Sequence, residues 1–84
     1  MFQVYALYSP RFDEIYIGYS TNAKKRLASH NNERNKSYTK RYRPWKIVFT
    51  EEFDTRSEAM RRERELKTAK GREYVWSKVK EMFG

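Results

Sequence analysis

The chain of 84 residues carries 19 lysine or arginine residues against 11 aspartate or glutamate residues, which gives a net charge of +8 at pH 7. With no cysteine it has neither a disulfide framework nor a thiolate metal site, and no apolar stretch is long enough for a secretory signal or a membrane span. Because 17% of the residues are aromatic, this basic composition favours a nucleic-acid partner, whose phosphates attract cations and whose bases stack on flat rings.

The first predicted elements form a β-hairpin. Two β-rich runs, Val4–Ser9 and Ile15–Tyr19, flank a turn at Pro10–Glu14. In the second run Tyr16 and Gly18 share one face, and the glycine leaves a gap beside the tyrosine. A glycine inside a strand often marks the close approach of a ligand or another part of the backbone. This face of the hairpin is therefore a candidate site.

The first predicted helix begins after the polar residues 20–22, any of which can act as its N-cap, and ends at about Asn31. Its inward stripe is expected to comprise Ala23, Leu27 and Ala28. Arg26 and His30 are spaced i, i+4, which places them on one side of the helix. A solvated helix face accounts for this pair as well as a site does. Because His30 is the only histidine, any mechanism that needs two imidazoles is excluded.

A long cationic loop and a third strand come next. Residues 31–44 (NNERNKSYTKRYRP) form the longest predicted loop, with Tyr38 and Tyr42 interleaved among cations. Loops of this length often carry function. The apolar and β-branched residues of Trp45–Phe53 (WKIVFTEEF) then predict a strand.

Two helices complete the chain. Thr55–Glu58 (TRSE) is a capping box that predicts a second helix reaching about Ala69, with Gly71 as its C-terminal stop. The apolar residues whose spacing predicts a final amphipathic helix are Tyr74, Val75, Val79, Met82 and Phe83. We expect one cytoplasmic domain over residues 1–84 without membrane contact, and the sequence does not indicate its oligomeric state.

Glu63 lies on the apolar side of the second predicted helix. At about 100° per residue it falls about 40° from Ala59 and about 60° from Leu66. An unpaired carboxylate in such a position is costly, so it needs a partner. That partner is either an arginine in a buried ion pair or a hard cation. The neighbouring charges are expected to be ordinary exposed helix charges, namely Glu58, Arg61, Arg62, Arg64 and Glu65.

Tyr5 and Tyr16 also have two interpretations. On the hairpin pattern alone, sheet packing explains both. A phenol has a pKa of about 10, so it becomes a base at neutral pH only where positive charge stabilises the phenolate. This chain is rich in such charge.

Several of these residues stand in the order of a known family. Tyr16–Gly18 reads YIG, and Gln3–Tyr5 lies where an upstream GIY triplet would stand. Arg26 and His30 follow on the first helix, and Ser57–Glu63 (SEAMRRE) is similar to the segment that carries a metal-binding glutamate. Over essentially its whole length the chain resembles the GIY-YIG nuclease superfamily. It looks most like short stand-alone bacterial members, which resemble the N-terminal nuclease domain of the UvrC repair protein.

The resemblance implies a fold and an activity. The fold would be α+β, a small three-stranded antiparallel sheet flanked by helices in the order β-β-α-β-α-α, which is also the order read from the residues. The activity would be that of a metal-dependent endonuclease hydrolysing phosphodiester bonds in DNA. Branched or damaged DNA in repair or recombination is the candidate substrate.

The resemblance also implies roles for single residues. Glu63 would hold one Mg²⁺ or Mn²⁺ ion that polarises the scissile phosphate, and Arg26 would brace the charge of the transition state. Tyr5 would be the general base on the attacking water, with Tyr16 and His30 positioning that water or sharing its proton. The loop residues that would bind the DNA backbone and stack on bases are Lys36, Tyr38, Lys40, Arg41, Tyr42 and Arg43.

Two alternatives stay open. Gln3 replaces the glycine of the first motif and no asparagine follows Asn35, so a nucleic-acid-binding module of the same fold with little or no cleavage is one alternative. Glu65–Lys67 spells the E-x-K of PD-(D/E)xK nucleases. That motif needs a strand, whereas here it falls in a predicted helix.

Overall fold

The protein is an α+β structure with the predicted order β-β-α-β-α-α, described over residues 1–84 by a computed structural model. Its elements are β1 (Phe2–Ser9), β2 (Glu14–Ser20), α1 (Ala23–Asn31), a 3₁₀ turn (Tyr38–Tyr42), β3 (Lys46–Phe53), α2 (Arg56–Leu66) and α3 (Ala69–Phe83). The three strands form one antiparallel sheet in the order β2-β1-β3. None of the helices has the length and hydrophobicity needed to cross a lipid bilayer.

The central strand β1 is covered on both faces of the sheet. Val4 and Ala6 point to one face, which we call the core face, and pack there against α2 and α3. Tyr5 and Leu7 point to the other, the α1 face, and pack against α1 and Trp45. This division follows from the two-residue period of a strand. Most of the aliphatic packing is on the core face, which leaves the α1 face to aromatic and polar side chains.

Helix α1 begins at a polar cap, as the sequence predicts. The Asn22 side chain accepts from a backbone N–H in the first turn, and Gln3 Oε1 accepts from the Ala23 N–H at 2.7 Å. The expectation that Ala28 faces inward is wrong, since this residue is exposed. It lies about 140° from Ala23 around the helix. The buried side of α1 is instead marked by Ala23 and His30.

Trp45 fastens the long loop to the sheet. Its indole Nε1 donates to the Thr39 carbonyl at 2.9 Å. The Asn31 side chain accepts from the Trp45 N–H at 2.6 Å and donates to the Trp45 carbonyl at 3.0 Å. These bonds satisfy backbone groups that no strand or helix reaches. The loop is therefore held in one place although its sequence is polar.

Helix α2 begins at the predicted capping box. The Glu58 N–H donates to Thr55 Oγ1 at 3.2 Å, and the Thr55 hydroxyl donates to the Glu58 carboxylate at 2.9 Å. Glu65–Lys67 lies at the C-terminal end of this helix and not in a strand. The structure therefore excludes the E-x-K alternative.

The boundary between α2 and α3 differs from the prediction. Helix α2 ends at Leu66 rather than Ala69, because Thr68 caps a new helix and accepts from the Gly71 N–H at 3.1 Å. Gly71 is therefore not a C-terminal stop but lies inside the first turn of α3. A Cβ at this position would come within 2.1 Å of the Glu65 carbonyl oxygen. The glycine is needed because the end of one helix touches the start of the next.

Replacing Gly71 with alanine is expected to lower the free energy of unfolding by about 1–3 kcal/mol, because the added methyl group must push the backbone of α2 away. Urea denaturation measures this change. The neighbouring Lys70→Ala substitution is the control, since that side chain is exposed. A Gly71→Ala protein at least as stable as the wild type would contradict the close approach.

Candidate active site

Three ring-bearing side chains from three elements meet on the α1 face. The hydroxyl of Tyr5 in β1 lies 3.1 Å from Nε2 of His30 in α1, within hydrogen-bond distance. The ring of Tyr16 in β2 lies 4.8 Å from the His30 ring and 6.4 Å from the Tyr5 ring, between centroids. The structure thus brings together three of the residues that the sequence proposes as a site.

Gly18 makes room for this cluster. It stands opposite Tyr5 in the sheet, and a Cβ there would lie 2.6 Å from the Tyr5 hydroxyl oxygen. The same Cβ would lie 3.2 Å from the ring of Tyr16. The gap predicted beside Tyr16 is therefore real, and the phenol of Tyr5 fills it. Without the glycine, Tyr5 could not reach His30 in this position.

His30 is buried, with 6% of the residue exposed, so a solvated helix face does not describe it. Its Nδ1 lies 2.8 Å from Thr39 Oγ1, and its Nε2 faces Tyr5. Burial and, second, the positive charge of Arg26 lower the pKa of His30 below its ordinary value. The imidazole is consequently neutral near pH 7. Arg26 itself is exposed, as a substrate-binding cation would need to be.

Tyr5 is 1% exposed, and its burial raises the pKa of the phenol above its ordinary value. The Arg26 guanidinium opposes this rise, while the charge of Glu63 adds to it. Both charged residues are therefore near enough to act on the same phenol. Because desolvation outweighs the cation, Tyr5 keeps its proton at neutral pH, and the cations of the chain do not by themselves produce a phenolate.

Glu63 is partly buried, with 20% of its side chain exposed, and its partner is a lysine. Lys67 Nζ lies 3.7 Å from Glu63 Oε2, an i, i+4 pair at the end of α2. The alternative of an arginine partner is wrong. Arg62 instead makes a two-point contact with Glu51 of β3, at 2.7 Å and 3.1 Å. The expectation that Arg62 is an ordinary exposed charge is therefore wrong, because Arg62 joins α2 to the sheet.

The donor set at Glu63 fits a single hard cation whose other ligands come from outside the protein. No group of three or more histidine, cysteine, aspartate or glutamate side chains lies close enough together to hold a metal ion. One carboxylate is nevertheless typical of Mg²⁺ sites that are completed by water and substrate phosphates. The Lys67 ammonium beside Glu63 is half exposed and forms a weak pair, so it does not block such an ion.

The cationic loop presents most of its predicted binding residues along one shallow groove. The residues from the predicted set that line it are Lys36, Tyr38, Lys40, Arg41 and Arg43. Tyr38 is 63% exposed and so is free to stack on a base. Tyr42 differs, since its ring packs against Phe12 at 5.6 Å and Trp45 at 6.2 Å. It supports the loop rather than presenting a free ring face.

Several residues of the site are not predicted by the sequence patterns. Thr39 contacts His30, and Lys67 and Arg72 line a cleft that also contains Tyr16 and Tyr38. The i, i+4 spacing from Glu63 is a signal that would have found Lys67. Thr39 carries no such signal, because its contact with His30 depends on how the loop folds back over α1.

Comparison with known proteins assigns this fold to a class of small nuclease-type domains. The family model of the GIY-YIG catalytic domain matches residues 1–77. The chain belongs to the GIY-YIG family.

Similar proteins include UPF0213 proteins of bacteria and archaea. The chain is 48% identical to one from Staphylococcus haemolyticus over 56 residues, which is 67% of this chain and 68% of the relative. It is 48% identical to one from Staphylococcus saprophyticus over 54 residues, which is 64% of this chain and 66% of the relative. It is 41% identical to one from Natronomonas pharaonis over 56 residues, which is 67% of this chain and 66% of the relative. No solved structure matches the chain significantly.

The lowered pKa of His30 makes the stability of the protein depend on pH. His30 has a pKa of about 6.5 in the unfolded chain and a lower pKa in the folded protein. The unfolded state therefore binds this proton more readily. The contribution to stability is complete above about pH 6.5 and is lost as the pH falls through the folded-state pKa. We therefore expect the urea concentration at the midpoint of unfolding to decrease as the pH is lowered from about 7.5 to about 5.5.

The control for this pH effect is His30→Gln, whose amide does not titrate but can still accept a hydrogen bond. This variant should show a flatter dependence of the urea midpoint on pH over the same range. An equally steep decline in His30→Gln would assign the effect to other groups.

Proposed function

We propose that the protein is a metal-dependent endonuclease that hydrolyses phosphodiester bonds in DNA. The observation that carries this proposal is the convergence of Tyr5, Tyr16 and His30 on one side of the sheet, within the electrostatic reach of Arg26 and Glu63. Membership of the GIY-YIG family supports it. Branched or damaged DNA in repair or recombination is the substrate we propose.

The protein side chains divide the work on the scissile phosphate. Arg26 is an exposed guanidinium beside the buried phenol, and it binds the phosphate oxygens as their negative charge increases. Tyr5 contacts the attacking water and takes its proton as the phenol gives up its own. Tyr16, which is half-buried against His30, limits where that water can sit.

Glu63 is the residue that would hold the metal ion. A bound Mg²⁺ or Mn²⁺ ion would supply positive charge that polarises the phosphate and stabilises the leaving oxygen. The helix presents Glu63 with its side chain mostly enclosed, because Ala59 and Leu66 on the same helix are buried in the core. Lys67 keeps the carboxylate partly neutralised when no phosphate is bound.

The loop groove and the cleft beside Tyr16 provide the DNA-binding surface. Lys40 and Arg41 lie in the groove, and Lys67 and Arg72 lie in the cleft. Tyr38 lines both, so the groove and the cleft adjoin there. A strand bound along this line would contact the cations of the loop and those beside Tyr16. Such contacts bind the backbone without reading the sequence of bases.

The Glu63→Gln variant is expected to lose Mg²⁺- or Mn²⁺-dependent nicking of plasmid DNA by roughly 100-fold or more, because the amide cannot hold the ion. Gel electrophoresis of supercoiled plasmid measures this activity. The matched control is Glu65→Gln on the same helix, whose side chain is 59% exposed and which should cut normally. Circular dichroism shows whether both variants are folded.

Two outcomes would decide against this assignment. Equal cleavage by Glu63→Gln and wild type would reject Glu63 as the metal ligand. Strong salt-dependent DNA binding by the wild type, with no cleavage in either metal, would favour the nucleic-acid-binding module instead.

The double variant Lys40→Ala/Arg41→Ala is expected to bind DNA more weakly and with a slope of log affinity against log salt that is smaller by about 2, because two phosphate contacts are lost. Fluorescence anisotropy at several salt concentrations measures the slope. Lys78→Ala/Lys80→Ala on α3, which covers the opposite face of the sheet, removes the same net charge. Equal losses of DNA affinity in both double variants would contradict a specific DNA contact at the loop.

A further inference from the structure

The loop after α1 places a group of three hydrogen-bonded polar side chains on the Nδ1 side of His30, where one of them contacts the ring. Thr39 Oγ1 lies 2.8 Å from His30 Nδ1, 2.8 Å from Asn35 Nδ2 and 2.9 Å from Ser37 Oγ. Ser37 Oγ in turn lies 2.6 Å from Asn35 Oδ1. Thr39 is 2% exposed, so water does not supply partners for its hydroxyl. We call Asn35, Ser37 and Thr39 the polar clamp.

The orientation of the Asn35 amide is fixed by its other neighbours. Its Oδ1 accepts from the Ser37 backbone N–H at 2.8 Å, and its Nδ2 donates to the His30 carbonyl at 2.9 Å. A backbone N–H can only donate and a carbonyl oxygen can only accept. Asn35 Nδ2 must therefore be the donor to Thr39 Oγ1.

The remaining protons can then be assigned one after another. Ser37 Oγ and Asn35 Oδ1 are only 2.6 Å apart, so the Ser37 proton lies between them. Ser37 has no second proton, and it must accept the proton of Thr39 in the contact between the two hydroxyls. Thr39 Oγ1 has then used its only proton, so it must accept from His30. The proton of the neutral imidazole is consequently on Nδ1.

This assignment decides the direction of the contact between His30 and Tyr5. With its proton on Nδ1, His30 presents an unprotonated Nε2 to the Tyr5 hydroxyl at 3.1 Å. The phenol must therefore donate to the imidazole. The Arg26 guanidinium has no acceptor atom and cannot compete for this proton.

We propose that the polar clamp holds His30 as the Nδ1–H tautomer and that His30, rather than Tyr5, is the final acceptor of the proton removed from the attacking water. The inference rests on the proposed nuclease function. Thr39 is the positioning residue that contacts the imidazole, and Asn35 and Ser37 hold Thr39 in the accepting orientation. Tyr5 passes the proton on.

The proton transfer accompanies cleavage of the phosphodiester bond. An O–H bond of the water breaks and its proton bonds to the Tyr5 oxygen while the phenolic proton moves to His30 Nε2. The water oxygen uses the freed electron pair to bond to phosphorus, and the bond from phosphorus to the leaving oxygen breaks. The leaving oxygen then takes a proton from bulk water, and the imidazolium releases its own to the solvent.

The acid–base properties of the two residues support this order. Burial raises the pKa of Tyr5, so a free phenolate is disfavoured near pH 7. His30 is neutral at that pH and can accept a proton. The positive charge of Arg26 is the second cause of the lowered pKa of His30, after burial. A bound DNA phosphate beside Arg26 offsets this positive charge as the imidazolium forms.

NMR can read the tautomer directly, because His30 is the only histidine in the chain. The tag-free protein labelled with ¹⁵N-histidine should show one imidazole with a protonated Nδ1 and an unprotonated Nε2 near neutral pH. In Thr39→Val, which keeps the shape but removes the acceptor, the population should shift to Nε2–H. In Thr39→Ser, which keeps the hydroxyl, the wild-type tautomer should persist.

Cleavage assays complete the test. We expect Thr39→Val to cut plasmid DNA roughly 10- to 100-fold more slowly than wild type and Thr39→Ser to recover most of the rate. The acidic limb of the wild-type pH–rate profile should follow the pKa that NMR gives for His30. Urea denaturation shows that the variants are folded.

The two levels of the proposal fail in different ways. A wild-type Nε2–H tautomer, or an unchanged tautomer in Thr39→Val, overturns the clamp even if the protein cuts DNA. A folded wild-type protein that cuts no DNA with Mg²⁺ or Mn²⁺ overturns the nuclease function, and the proton transfer with it, even if His30 carries its proton on Nδ1.

Discussion

The hydrogen bond between the Tyr5 hydroxyl and His30 Nε2 is the contact on which the rest of the α1 face depends. Two polar groups that are this deeply buried must satisfy each other, since an unpaired one would cost a few kcal/mol. Gly18 leaves the space that the phenol needs, and Thr39 satisfies the far side of the imidazole. The contact of Thr39 with the buried imidazole thus adds to the hydrogen bonds of Trp45 in holding so polar a segment against the sheet.

The two faces of the sheet separate stability from chemistry, and α2 serves both. Its residues Ala59 and Leu66 belong to the main core, while the side chain of Glu63 between them is near enough to influence the Tyr5 phenol on the other face. The two-point contact of Arg62 with Glu51 sets the rotation of the helix against β3. Glu63 is therefore positioned by core packing on either side of it and by the ion pair of the neighbouring Arg62.

The features that the sequence predicts correctly are those that local rules determine. The order of elements and the capping box at Thr55 depend on near neighbours in the chain, and the wheel position of Glu63 depends only on helical geometry. The rest depends on contacts between distant residues. The close approach at Gly71 and the partnership of Thr39 with His30 exist only once the chain has folded, so no spacing in the sequence encodes them. The same holds for the burial of His30, because a nine-residue helix whose buried residues are only Ala23 and His30 has no clear apolar stripe.

The pairing of Glu63 with Lys67 suggests why one carboxylate is enough for the proposed site. A half-exposed lysine at 3.7 Å stabilises the carboxylate only weakly, because water competes for both charges. A divalent ion interacts more strongly, but one carboxylate gives it a low affinity on its own. In the proposed function, a bound DNA phosphate would add further oxygen ligands and would also attract the Lys67 ammonium. Ion and substrate should therefore bind cooperatively, so that the positive charge that activates the phosphate is assembled only where DNA is present.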